Sequence, residues 1–229
     1  MVIEYPSIKH LDLTEQTYRF LKDRILKREI HPGEKISVEE VARGLGVSRT
    51  PVVSALKMLE TDGLVEIMPR RGTFVTHLTA RDVAELFEIR LLIELYASEC
   101  IFQENKINQF LTEIQGPMSQ MQGAIAEDAY IDYETFIDGD RDLHMYLVRY
   151  LNNRRLVQIY TDLNVHMQVA RAHYLDTVEN AVEAQKEHED MLAALEARDL
   201  SSLKLALTDH IGNVKGRILC MLEQRGGML

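Results

Sequence analysis

The chain has 229 residues, with 26 Lys and Arg against 36 Asp and Glu for a net charge of −10, a length that suggests two modest domains, each able to bury a core. Two cysteines, Cys100 and Cys220, lie far apart in an otherwise ordinary composition, which excludes a disulfide framework and fits a reducing compartment. The first six residues, MVIEYP, show no basic stretch leading into an apolar one, and no apolar run is long enough to cross a bilayer, so a cytoplasmic protein with no signal peptide and no membrane partner is expected. The charge is unevenly spread. Residues 1–78 hold 12 Lys and Arg against 11 Asp and Glu, a net of +1, and the remainder holds 14 against 25, a net of −11. A near-neutral N-terminal part can still bind a polyanion where its cations share one face, with weak non-specific affinity as the consequence.

In chain order, Thr14 to about Arg28 reads as a first helix with Tyr18, Leu21, Ile25 and Leu26 facing a core, broken by Ile30, His31, Pro32 and Gly33. Ser37 with Glu40 three residues on is a capping box, so a short helix starts there and carries Val41, Ala42 and Leu45 inward until Gly46 permits a tight turn. Ser48 caps a second short helix, where Pro51 is tolerated because no donor is lost in a first turn. Val52, Leu56 and Leu59 form its apolar stripe, leaving Arg49, Thr50, Val53 and Lys57 opposite. Gly63 stops it, and Val65–Ile67 and Thr73–Val75 read as two strands joined by a basic tip that holds Arg70, Arg71 and Gly72. Two helices across a tight turn, followed by a basic hairpin, describe a winged helix-turn-helix, a DNA-binding motif whose second helix enters the major groove.

The run GVSRTPVVSALKMLETDGLVEIMPRRGTFV resembles the winged-helix signature of the GntR superfamily of bacterial transcriptional regulators, and the resemblance spans Glu15 to Thr76. It rests on the Ser-Arg-Thr-Pro start, the Leu-Glu before the Asp-Gly turn, and the Pro-x-Arg-Gly wing. It implies DNA contacts from Ser48, Arg49, Thr50, Lys57, Arg70, Arg71 and Gly72. One departure is Val53, where the family usually has an Arg two residues after the Pro. A cation is missing there, and the valine can at most meet a thymine methyl.

A short linker at 77–79 closes a first domain over 1–77, and Thr79 with Asp82 opens a fresh helix and a second domain over 78–229. So short a joint predicts a stiff connection. From Ala80 onward only helical periods occur, over about 80–103, 106–125, 132–151, 154–175, 178–197 and 200–223, with Gly116-Pro117 breaking or kinking the second. The expected fold is therefore mainly α, a winged helix-turn-helix followed by an all-α bundle of about six helices.

Polar residues interrupt the apolar stripes of that bundle. Asp140 and His144 stack four apart on one helix, and His188 and His210 stand in core positions of two others. Three imidazoles and a carboxylate from three helices suit zinc or a neighbouring divalent metal such as nickel or manganese, though each histidine can equally be a buried, hydrogen-bonded core residue. Asp140-Arg-Asp-Leu-His144 with Asn153 beyond, Glu187-His188, and Asp199 followed by His210 resemble the metal-binding members of the FadR C-terminal-domain (FCD) branch of these regulators. There an Asp, a His one turn later and two further histidines coordinate a divalent metal. Arg90 also falls in a core stripe, either paired with Glu94 or lining a cavity where its guanidinium takes a carboxylate; Arg171 borders another stripe and is a second cavity candidate. His166 and His173 read as rim residues.

Catalysis finds little support: no Gly-rich phosphate loop, no nucleophile elbow, and no Glu-x-x-His pairs of a di-iron bundle. The reading is a homodimeric regulator, a repressor rather than an enzyme, binding double-stranded operator DNA, a divalent metal and a small organic acid through Arg90, Arg171 and Asn153. The alternatives are a metal-dependent enzyme and a regulator whose metal is purely structural.

Overall fold

The computed structural model describes residues 13–27, 29–77, 79–125, 132–174 and 177–224, the side chains of 134, 164–166 and 168–174 excepted. The chain divides into two compact units, 1–76 and 77–229.

In the first unit, helix α1 (Leu13–Leu26) buries Thr17, Leu21 and Ile25. Tyr18, expected in the core, is half-buried and donates its hydroxyl to Asp62. Thr17 takes the core position instead, its own hydroxyl satisfied by the Leu13 carbonyl at 2.6 Å, as a buried polar group requires. Helix α2 (Val38–Leu45) starts where Ser37 Oγ accepts the Glu40 N–H at 3.3 Å and ends at Gly46, whose φ of 65° is the left-handed conformation that glycine adopts without strain. Helix α3 (Arg49–Thr61) buries Val52, Ala55, Leu56 and Leu59. Ser48 occupies its N-cap with extended backbone, yet its side chain makes no capping hydrogen bond.

Three antiparallel strands in the order β1-β3-β2 complete the unit: β1 (Lys35–Ile36), β2 (Val65–Met68) and β3 (Gly72–Val75). β2 and β3 form the expected hairpin, with Val65 opposite Val75 and Met68 opposite Gly72. β1 was not expected, and at two residues it offers no alternation to read. At the tip Arg70 has φ 65°, and Gly72, at φ 121°, lies so close to the Lys35 chain that a Cβ would stand 2.6 Å from Lys35 Cε.

The second unit is a bundle of six helices among the described residues: α4 (Ala80–Gln103), α5 (Ile107–Ala124), α6 (Tyr133–Arg149), α7 (Arg154–Tyr174), α8 (Val178–Glu196) and α9 (Leu200–Gln224). Side-chain caps open several of them. Thr79 and Asp82 form a reciprocal capping box on α4, Asp132 caps α6, and Thr177 caps α8. Helix α5 runs unbroken through Pro117. There α6 approaches so closely that a Cβ on Gly139 would lie 3.0 Å from the Pro117 carbonyl and 2.7 Å from Met121 Cγ. The packing against α6 offsets the hydrogen bond that the proline cannot donate. Helix α5 packs on α6, α9 packs on both α4 and α8, and α7 touches α4, α6 and α9. The core so formed runs from Val83 and Phe87 on α4 to Ile218 and Leu222 on α9. No helix of the described residues is long and apolar enough to cross a membrane.

Candidate metal centre and nucleic-acid interface

Helix α3 turns Val52, Leu56 and Leu59 inward, and the same periodicity leaves Arg49, Thr50, Val53 and Lys57 exposed on the other side. Arg49 pairs with Glu39 at 2.9 Å, with both side chains more than half exposed. Such a pair contributes little and yields readily to a phosphate. Ser48 is exposed at the start of α3, and Arg70 and Arg71 stand exposed at the hairpin tip beside the half-buried Gly72. The first unit therefore presents cations on a helix face and on a wing, all free of the core.

The bundle does the reverse. Asp140 and His144 project from α6, His188 from α8 and His210 from α9, and none is more than 5% exposed. One potential ligand atom from each lies within 4.8 Å of every other. His188 Nε2 stands 3.3 Å from Asp140 Oδ1, and His144 Nε2 stands 3.8 Å from the same oxygen. The His188 and His210 rings are 4.5 Å apart between centroids, and His144 and His210 are 5.1 Å apart. His144 Nε2, both nitrogens of His188 and His210 Nε2 have no hydrogen-bond partner. Leaving one buried polar atom unsatisfied costs about 1–3 kcal/mol; one ring nitrogen from each of the three histidines, gathered beside the Asp140 carboxylate, fits a divalent cation that would satisfy them together.

Two further carboxylates set the rings. Glu94 Oε2 accepts from His144 Nδ1 at 2.7 Å, and Glu187 Oε2 accepts from His210 Nδ1 at 2.9 Å. A carboxylate only accepts, so each ring carries its proton on Nδ1 and turns the Nε2 lone pair toward the cluster. Burial pushes His144 down to about 4 against the pull of Glu94, and burial together with the neighbouring His188 pushes His210 down to about 3. Both are thus neutral imidazoles near pH 7, the form that ligates. For Glu94 burial acts upward, but the Arg90 guanidinium and His144 hold it well below the usual carboxylate range. Glu187 is likewise lowered against its own burial, by His210 first and by Arg217 and Asn213.

Arg90 is fully buried and donates through Nε to Glu94 Oε1 at 2.7 Å, so the ion pair, one of the two alternatives open from the sequence, is present. Its Nη2, however, has no partner, which leaves one buried donor unused for an anion. Tyr160 donates its hydroxyl to the same Glu94 oxygen at 2.6 Å. Asn153 is exposed, and its carboxamide oxygen accepts the N–H groups of Arg155 and Leu156 at 3.1 and 3.3 Å, which spends it on the start of α7. The side chains of Arg171, His166 and His173 lie outside the described residues. A separate groove of about 440 Å³, lined among others by Lys106, Glu113, Tyr146 and Arg149, involves none of the four cluster residues.

Sequence reasoning gave no role to Glu187 or to the Tyr160 hydroxyl. A signal for Glu187 lies on α9, where His210, Asn213 and Arg217 share one face and all bond to it. Tyr160 sits in an apolar stripe, and its hydroxyl left no trace in the pattern.

The family model described as bacterial regulatory proteins, gntR family, matches residues 13–75, and that of the FCD domain matches residues 85–213. The chain is 28% identical over 212 residues to an uncharacterized HTH-type transcriptional regulator, YdhC, of Bacillus subtilis (strain 168), covering 91% of this chain and 92% of the relative. It is 25% identical over 203 residues to the gluconate operon transcriptional repressor of Bacillus licheniformis, covering 86% and 82%. Among solved structures, E. coli McbR/YncC superposes with a TM-score of 0.72 at 25% identity, over 94% of this chain and all of that one.

Proposed function

This chain belongs to the gntR family of bacterial regulatory proteins and carries an FCD domain behind its winged helix, and from that premise we propose that it is a repressor whose operator binding responds to a metal-assisted organic acid. Family membership makes it a DNA-binding transcriptional regulator and not an enzyme. The winged helix reads a two-fold operator as a cytoplasmic homodimer, with α3 in the major groove and the Arg70–Arg71 tip on the neighbouring backbone. The exposed cations of α3 and the hairpin support that placement. The gluconate operon repressor among the relatives supports both the repressor role and a sugar or hydroxy acid as effector.

The observation that carries the sensor reading is the set of three buried imidazoles, each with an unsatisfied ring nitrogen, gathered around Asp140. Asp140, His144, His188 and His210 would hold the ion, zinc before nickel or manganese. When bound, it offers an open coordination position to an oxygen donor. The neutral rings present lone pairs, Glu94 and Glu187 keep them turned inward, and Arg90 Nη2 supplies an N–H for a carboxylate. Effector binding shifts the regulator only through unequal affinity for its DNA-bound and free states.

The test is a thermal-shift screen of hydroxy acids, sugar acids and dicarboxylates on protein whose metal content is set by elemental analysis. One acid is expected to raise the melting temperature of zinc-loaded protein in proportion to the logarithm of its concentration, and to act far more weakly on chelated protein. Arg90→Lys, which keeps the charge but loses the planar fork, should blunt that response. A broad panel without any metal-dependent shift would refute the sensor and leave the metal structural.

A further inference from the structure

One carboxylate joins the candidate metal centre to the guanidinium beside it. Glu94 Oε2 receives the His144 Nδ1 proton at 2.7 Å, while Oε1 receives Arg90 Nε at 2.7 Å and the Tyr160 hydroxyl at 2.6 Å. These partners come from α6, α4 and α7, and Arg90, Glu94, His144 and Tyr160 are all 0% exposed. We infer that Glu94 is a positioning residue that couples metal loading at His144 to the placement of the unused Arg90 nitrogen, an inference that rests on the metal reading above.

The physical reason is that three donors share two oxygens of one group. A cation on His144 Nε2 withdraws electron density from the ring and makes its Nδ1–H a stronger donor, which draws the carboxylate toward α6. Oε1 belongs to the same rigid plane, so the Arg90 Nε–H contact must follow it. Arg90 Nη2 has no hydrogen-bond partner of its own, and beside the Phe87 ring, whose centroid lies 5.7 Å from the guanidinium carbon, the Nε contact to Glu94 directs it. Glu187 differs: it bonds to His210, Asn213 and Arg217, all on α9, and so orients a ring without involving the guanidinium. Helix α4 carries Arg90 and begins directly after the linker from the first unit, so this coupling acts on the element covalently nearest the DNA-binding unit.

Glu94→Gln tests the inference because it keeps the shape and removes one acceptor. If its amide N–H faced Arg90, a buried charge would lose its partner, so the amide turns its oxygen to Arg90 and its NH₂ to His144. His144 must then accept at Nδ1 and move its proton to Nε2, which blocks ligation. The expected result is a zinc dissociation constant raised about 10–100-fold, measured by competition with a chromophoric chelator. Nitrogen-15 spectra of metal-free protein should show the His144 proton on Nδ1 in the parent and on Nε2 in the variant. Zinc added to the parent should also move the Arg90 Nε–H resonance, assigned by its loss in Arg90→Lys, and should leave it in place in Glu94→Gln. If Glu94→Gln does not fold, the response of the parent's Arg90 Nε–H resonance to zinc, which needs no change at position 94, decides the inference by itself. Parent-like zinc affinity in the folded variant, or an Arg90 resonance in the parent that ignores zinc, overturns the inference and leaves Glu94 a structural ion-pair partner. A parent protein that takes up no zinc at all instead removes the metal reading, and it does so before any variant is compared.

Discussion

The two units carry their functional side chains in opposite ways. In the winged helix Arg49, Thr50, Lys57, Arg70 and Arg71 stand in solvent while an independent apolar stripe of Val52, Leu56 and Leu59 holds α3 in place. In the bundle Arg90, Glu94, His144, His188 and His210 occupy core positions themselves, each at 1% exposure or less. A surface site is an addition to a fold that is stable without it. A buried polar site belongs to the fold, and its unsatisfied atoms lower stability until something fills them. Substitutions in the first unit should therefore separate binding from stability, and substitutions in the second should not.

The sharpest break in that comparison comes from Arg90→Ala. It strands Glu94 as a buried charge without its guanidinium, and loss of one partner from such a pair costs about 3–5 kcal/mol. A large fall in melting temperature of metal-free protein is expected by calorimetry, whereas Arg49→Ala should melt with the parent. Equal behaviour of the two variants would mean that the buried pair is not part of what holds the bundle. Next in size is the metal itself. At a free zinc concentration about 100 times its dissociation constant, zinc should stabilise the parent by about 2.7 kcal/mol. His188→Ala and His210→Ala should abolish most of that gain and deplete metal in elemental analysis. A zinc-dependent rise that survives both substitutions would place the ion elsewhere.

A smaller effect is expected on the DNA side. Arg71→Ala removes one exposed cation from the wing tip, so operator affinity should fall several-fold and the slope of log affinity against log salt should fall by about 1. Fluorescence anisotropy over a salt series reads both, and the melting temperature should not move. An unchanged slope would take Arg71 off the phosphate backbone.

The same contrast governs what could be read in advance. The six helices of the bundle were legible because long amphipathic periods repeat over many residues, with the Thr79 cap marking where they begin. The cluster residues were legible because a histidine or aspartate in an apolar stripe is conspicuous. Arg90 and Glu94 stood out for the same reason, but a one-dimensional period does not say that Glu94 reaches across to His144 on α6 and Tyr160 on α7. Glu187 was named only beside His188, and its role in orienting His210 escaped because its own partners lie on α9. Strand β1 escaped through its length, and the unbroken course of α5 through Pro117 depends on the close approach of Gly139, a tertiary fact. The pattern along one element was readable, and so was the pooling of core-facing polar residues; which side chains bond across elements was not.

The smallest effect concerns Val53, the one apolar side chain on the exposed face shared by Arg49, Thr50 and Lys57, itself 39% exposed. A valine there forms no part of the core, so replacing it should leave the fold alone. Val53→Arg adds one cation to the face that the reading turns toward DNA. Binding to duplexes of arbitrary sequence should then tighten by a few-fold, and the salt slope should steepen by about 0.9 for one additional neutralised phosphate. Preference for the operator over other duplexes should shrink, since a phosphate contact carries no sequence information, whereas a valine can meet only a thymine methyl in the groove. Titrations of operator and random duplex at two salt concentrations measure all three quantities on one protein preparation. A variant that gains nothing on any duplex, with melting unchanged, would show that the exposed face of α3 is turned away from DNA, and the cations of the wing would then have to account for binding by themselves.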